Sequence, residues 1–202
     1  KTDHLTDLYR MVESEVTSGH QVYWVCPLVE ESETLDIASA VSKSEELRLI
    51  FPDLTVGLIH GRMKWSEKDA IMQEFIAGNI DILTSTSVIE VGVDNPNATI
   101  IVIEGSERFW LSQLHQFRGR VGRGQDQSYC YLLTSEDRKK TERLKAMEET
   151  NDGFILSEID LELRWPGEVY GLRQRGVPDF KIADITDLEK VSDIREAIIT
   201  YL

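Results

Sequence analysis

Within "QLHQFRGRVGRG", residues 113–124, three arginines fall inside six positions and alternate with three glycines. Arg118, Arg120 and Arg123 carry planar guanidinium groups that stay charged at any working pH and donate paired hydrogen bonds to phosphate oxygens. Gly119, Gly122 and Gly124 let the backbone come close beside them. Arg120 and Arg123 are three residues apart, so on a helical turn they project to the same side. Set against the terminal phosphate of a nucleotide, such a pair would stabilise charge developing in phosphoryl transfer. The competing reading is a solvated basic turn paired with neighbouring carboxylates.

Two further segments bear groups that suit a polyanion: "HGRM" at 60–63 and "STSVIEVGVD" at 85–94. Ligands of an open parallel sheet bind at the carboxyl ends of its strands. All three segments are expected to converge on that one sheet edge. A phosphate-cradling G-x-x-x-x-G-K-[ST] loop is absent, as is any Gly-Lys dipeptide. A nucleotide site built here is therefore expected to be completed by another domain.

The elements that would position these groups follow from hydrophobic periodicity. Leu5, Leu8, Tyr9, Val12 and Val16 share one helical face, closed by Gly19. "QVYWVCPL" reads as a strand covered on both sides, 34–50 as a helix and "LTVGLIH" as a second buried strand. Ser66 with Asp69 suggests a capping box for a helix whose inner face is Ile71, Met72, Phe75 and Ile76, closed by Gly78. "IDILTSTSVI", "ATIIVIEG" and "SYCYLLT" supply three more strands. This alternation predicts a doubly wound α/β domain with a parallel sheet over residues 1–134. From 135 to 202 the pattern changes to a smaller helical appendage: a charged helix burying Leu144 and Met147, a helix capped by Ser157 and Asp160, and a last helix over 188–202.

Composition bounds the partners. The 202 residues are 41% hydrophobic, enough for a core, and the net charge is −14. A surface so acidic repels phosphate as a whole, so a polyanion site must be local. No apolar run is long enough to span a membrane and the sequence shows no charged-then-apolar leader, so a cytoplasmic location is expected. The first residue is not Met, which suggests a piece of a longer protein. Cys26 and Cys130 lie in apolar runs without metal-ligand spacing, so buried thiols are expected and no metal site.

"HGRMKWSEKDAIMQEF", "ILTSTSVIEVGVDNPNATIIVIEGSERF" and "LSQLHQFRGRVGRG" resemble the second, RecA-like motor lobe of a superfamily-2 helicase. The downstream "MEETNDGFILSEIDLELRWPGEVYGLRQRGVPDFKIADI" resembles the bacterial RecG family of branched-DNA helicases. The resemblance implies that Arg120 and Arg123 are fingers onto the γ-phosphate of ATP. Gln116, Gly119, Glu90, Gly92 and Asp94 would serve the nucleotide, and His60, Gly61, Arg62, Ser85 and Thr86 would grip DNA phosphates. It implies a translocation-coupling hairpin and loop near 151–176, with Arg164, Arg173 and Gln174 on its polar positions.

ATP and Mg²⁺ would be bound mainly by a first lobe, an amino-terminal wedge would split strands, and the lobe alone would be inactive. The implied partners are branched double-stranded DNA, at stalled forks and Holliday junctions in repair and recombination, and single-stranded-DNA-binding protein. Trp110 and Trp165 stand where the family pattern implies glycine, and Leu172 and Arg175 where it implies small polar residues. Two alternatives stand beside this: the translocase lobe of a transcription-repair coupling factor, and a non-catalytic partner-binding module that retains the motor fold.

Overall fold

The computed structural model describes residues 2–27, 33–86, 95–135 and 141–164. They build a five-stranded, wholly parallel sheet in the order β2-β3-β1-β4-β5, with helices on both faces. The strands are β1 (Gln21–Val25), β2 (Val56–Ile59), β3 (Ile82–Ser85), β4 (Ala98–Glu104) and β5 (Tyr129–Leu133). The helices are α1 (Thr2–Thr17), α2 (Glu33–Ile50), α3 (Trp65–Ile76), α4 (Leu111–Arg118), α5 (Glu142–Glu149) and α6 (Gly153–Arg164). The expected α/β class holds.

Side-chain alternation along the strands divides the core in two. Val22 and Trp24 of β1 and Cys26 just past its end join Val56, Ile82, Ile100 and Val102 on one face, where Leu8, Val12 and Val16 of α1 and Ala40 and Leu47 of α2 cover them. Tyr23 and Val25 point the other way, with Ile59, Leu83, Ile101 and Ile103. There they meet Met72 and Phe75 of α3 and Leu111, Leu114 and Phe117 of α4. Leu144, Ala146 and Met147 of α5 and Leu156 of α6 belong to that same cluster. Burying a side chain such as Phe75, which is fully enclosed, contributes about 2–3 kcal/mol.

The helix starts differ from expectation in two places. α3 begins at Trp65, and the carboxylate of Glu67 accepts the backbone N–H of Lys64 at 2.8 Å. Ser66 therefore lies inside the first turn. α6 begins at Gly153, where Asp152 Oδ1 accepts from the amide of Phe154 at 2.8 Å. Ser157 is interior, its hydroxyl returned to the Gly153 carbonyl at 2.7 Å. Asp152 takes the first free amide of α6, whereas Glu67, the third residue of α3, returns to the amide of Lys64 ahead of the helix. The expected last helix over 188–202 lies outside the described residues.

At the amino ends of the strands a buried amide network fixes the frame. Gln21 donates to the carbonyls of Phe75 and Ile80 and accepts from Asn95 Nδ2 at 3.0 Å. The end of α3 and the approach to β4 are thereby tied to β1. Gln21 is 3% exposed, and losing a partner there would leave a buried polar group unsatisfied.

Candidate functional site

The sheet has two chemically distinct edges. At the carboxyl edge, β2 and β3 end side by side with Ile59 paired to Ser85, and the amide of Thr86 donates to the Ile59 carbonyl at 3.3 Å. The chain leaves β2 through a turn closed by Met63 N–H on His60 O at 3.2 Å. Lys68 of α3 reaches back to the Gly61 carbonyl at 3.0 Å. "HGRM" is thus held against the ends of β2 and β3. The hydroxyls of Ser85 and Thr86 and Nδ1 of His60 are buried here and have no hydrogen-bond partner among the described residues. Unsatisfied buried hydroxyls are uncommon and costly. Three such groups in one place suit a ligand rich in acceptors, and a phosphate-bearing strand is one.

The arginine turn lies at the opposite edge. α4 starts beyond the carboxyl end of β4 and ends before β5 begins, so its last residue delivers the chain to the amino edge. Gly124 packs on Pro96, just ahead of β4, and Asp126 Oδ2 stands 3.7 Å from Nε2 of His20, just ahead of β1. The three segments therefore do not converge on one edge, as the sequence suggested. "HGRM" and Ser85-Thr86 share the carboxyl edge, and Arg120 and Arg123 occupy the amino edge. The reason is the helix: a crossover element runs against its strands, so the end of α4 opposes the end of β4.

The turn itself is a tight departure from α4. The amide of Arg120 donates to Phe117 O at 2.9 Å and that of Val121 to Arg118 O at 3.3 Å, with the Val121 side chain buried. Gly122 then takes φ +78°, a backbone conformation that side chains disfavour. α4 has already ended at Arg118, and with Gly122 bent between them the two arginines do not share a helical turn. Arg123 Nε donates to the Gly119 carbonyl at 2.9 Å, which lays its guanidinium back along the turn. Burial pushes the Tyr23 phenol up to about 12, while Arg120 and then Arg123 pull in the other direction. Both cations are therefore close enough to the sheet face to be felt at β1. Gln116 is exposed on α4 nearby.

Glu90, Gly92 and Asp94 lie outside the described residues, as do Arg173, Gln174 and the side chain of Arg164. The described residues that bracket the first three, Thr86 and Asn95, lie at opposite edges of the sheet. Among the described residues no group of three His, Cys, Asp or Glu could hold a metal ion. No helix among them is long and apolar enough to cross a membrane. Cys26 and Cys130 are free, the first buried and the second half-buried.

Two relationships were not legible in the sequence. Arg118, the third arginine of the cluster, turns away from the others. Its Nη1 donates to the carbonyls of Met147 at 2.8 Å and Thr150 at 2.9 Å, and Nη2 meets His115 Nδ1 at 3.0 Å. It closes the end of α5 and leashes α4 to it. Trp110, at the start of α4, lies under the Arg143 guanidinium of α5, 4.4 Å from the ring centroid. The departure from glycine at this position thus gains a partner.

Comparison with known proteins bears on what this frame is. Residues 1–125 match the helicase conserved C-terminal domain, and residues 150–200 match the C-terminal part of domain 3 of the ATP-dependent DNA helicase RecG. The chain belongs to the helicase conserved C-terminal domain family. It is 50% identical to the ATP-dependent DNA helicase RecG of Synechocystis over 91% of this chain and 22% of that relative. Against the RecG of Bacillus subtilis the identity is 51% over 92% of this chain and 27% of the relative. A solved structure of RecG bound to a three-way DNA junction superposes with a TM-score of 0.69 at 44% identity, covering 83% of this chain and 22% of that one. The chain spans about a quarter of the length of these curated relatives. The RecA-like lobe is shown, and the match at 150–200 favours the RecG type over the coupling-factor alternative.

Proposed function

We propose that this chain is the second motor lobe of an ATP-dependent translocase that remodels branched double-stranded DNA, with fuel handled at one sheet edge and a DNA strand at the other. The observation that carries it is the placement of the arginine turn and the buried hydroxyls on opposite edges of one parallel sheet. A rigid sheet between them would transmit displacement from one to the other without dissipating it in loops.

At the amino edge, Arg120 and Arg123 would approach the γ-phosphate of an ATP held by a separate lobe. Gln116 and Gly119 would flank it, with Glu90, Gly92 and Asp94 beside them. Fingers of this kind act on charge in the transition state more than on binding, so turnover falls steeply when they are lost. At the carboxyl edge, His60, Gly61, Arg62, Ser85 and Thr86 would hold phosphates through hydroxyls, backbone amides and one cation. This mode suits an acidic protein because it positions a strand without needing a broad basic surface. Arg164, Arg173 and Gln174 would carry the displacement onward to the strand path. The Mg²⁺ that accompanies ATP would be bound mainly by groups of the other lobe. Stalled forks and Holliday junctions are the DNA substrates this reading implies, with single-stranded-DNA-binding protein as a further partner and the cytoplasm as the location.

The test is Arg123→Ala in the intact protein. ATP binding is expected to persist while DNA-stimulated turnover falls on the order of 10³-fold or more. Turnover near that of the unaltered protein would remove Arg123 from the nucleotide site and this reading with it.

A further inference from the structure

Trp65, the first residue of α3, is 67% exposed. A tryptophan so open to water on a folded surface is unusual, because its rings normally dominate a core or an interface. Among the other exposed apolar side chains, Phe154 and Leu161 on α6 are flanked by Glu158 and Glu162. Trp65 instead stands among Arg62, Lys64 and Lys68, three cations within seven residues of a chain whose net charge is −14. Glu67, the nearest acid, has its carboxylate directed to the Lys64 amide at 2.8 Å.

The position of this indole gives it meaning. It follows directly on the turn closed by Met63 N–H on His60 O, and Lys68 clips α3 to Gly61. It thus flanks the edge where Ser85 and Thr86, both under 5% exposed, bury hydroxyls without partners. Hydroxyls and cations address phosphates. An aromatic face addresses the part of a nucleotide that phosphate contacts leave untouched.

We propose that Trp65 is a nucleic-acid contact, its indole packing on the base or sugar face of a strand whose phosphates lie along His60–Arg62 and Ser85-Thr86. This rests on the reading of the carboxyl edge as the strand-holding edge. It adds an apolar, sequence-tolerant contact to one otherwise made of charge and hydrogen bonds.

The two kinds of contact separate by salt. A cation on a phosphate releases counterions, so its loss flattens the dependence of affinity on salt by about one unit of slope. A stacked indole releases none. Binding of the intact protein to a labelled three-way DNA junction would be measured across a salt series for Trp65→Ala, Trp65→Phe and Arg62→Ala, each checked for an unchanged melting temperature. Trp65→Ala is expected to weaken binding about 5- to 100-fold at every salt concentration with the slope intact, and Trp65→Phe to recover most of it. Arg62→Ala is expected to weaken binding and lower the slope.

Unaltered affinity in Trp65→Ala beside a weakened Arg62→Ala would overturn the stacking contact and leave the strand-holding edge standing. A lowered slope in Trp65→Ala would also overturn it, showing that the indole acts through the neighbouring cations. If neither variant weakened binding, the edge itself would not hold DNA.

Discussion

Gly124 stands against the backbone of Pro96, so close that a Cβ on it would lie 2.8 Å from the Pro96 carbonyl oxygen. This contact pins the far end of the arginine turn to the entrance of β4, while Gly122 supplies the left-handed bend within it. No side chain fits at position 124 unless one backbone segment moves. Gly124→Ala is therefore expected to displace the turn that carries Arg120 and Arg123. Stability should fall by about 1–3 kcal/mol in urea unfolding. DNA-stimulated turnover of the intact protein should fall on the order of 10²-fold, the effect of misplacing a catalytic group by about an ångström. Unchanged turnover would show that the turn's position does not govern hydrolysis.

Arg118 forms a different kind of attachment. One guanidinium closes two carbonyls at the end of α5 and meets His115 on its own helix. Arg118→Ala should lower stability by about 1.5–3 kcal/mol, since it removes charge-assisted bonds and strands half-buried carbonyls. Arg118→Lys should recover only part of this, because an ammonium lacks the fork that spans both carbonyls. Gly153→Ala would press on the histidine that Arg118 meets, its Cβ falling 2.8 Å from His115 Nε2. Equal melting temperatures for Arg118→Ala and the unaltered chain would refute the attachment.

Trp110 and Arg143 should behave as a coupled pair. A double-mutant cycle with Trp110→Ala and Arg143→Ala is expected to give an interaction of about 0.5–1 kcal/mol, typical of a partly exposed cation over an aromatic ring. Trp110→Gly, which restores the residue expected for the family, should abolish the coupling. Additive single losses would mean that the ring and the guanidinium are neighbours without mutual stabilisation.

Much of this was readable before any coordinates. Strands such as β1 and β4 were visible because "QVYWV" and "ATIIVIE" are short, largely apolar runs rich in β-branched and aromatic residues, which suits a strand covered on both faces. The inner face of α3 was visible in the spacing of Met72 and Phe75, both buried. What misled was the edge. Proximity of the arginine stretch to β5 in sequence suggested the carboxyl ends, whereas a helix antiparallel to its strands returns the chain to the amino ends. That step needed topology, not new residues. The role of Arg118 was hidden for another reason. Three arginines in one short run look alike, and only the placement of the α5 carbonyls, distant in sequence, sets one apart. Ser66 and Ser157 failed as caps because α3 starts at Trp65 and α6 at Gly153, which puts both serines inside their helices.

The buried Tyr23 phenol of β1 and the Cys26 thiol just past its end predict a response to alkali. Burial, reinforced by Glu104, pushes Cys26 up to about 12 from 9.0, and burial pushes Tyr23 up to about 12 from 10.0 against the pull of Arg120 and Arg123. In the unfolded chain both groups ionise near their ordinary values. Between those values and about 12 the unfolded chain releases protons that the folded chain retains, so rising pH favours unfolding. The stabilisation is complete below about pH 9 and should decline steadily above it. Urea midpoints measured at increasing pH should show this decline, and Cys26→Ala should lessen it by removing one of the two groups. In Arg120→Ala the Tyr23 phenol should ionise at higher pH still, readable from its phenolate absorbance, because a cation that favours the charged form has gone. A midpoint indifferent to pH across this range would show that neither group is held neutral by the fold.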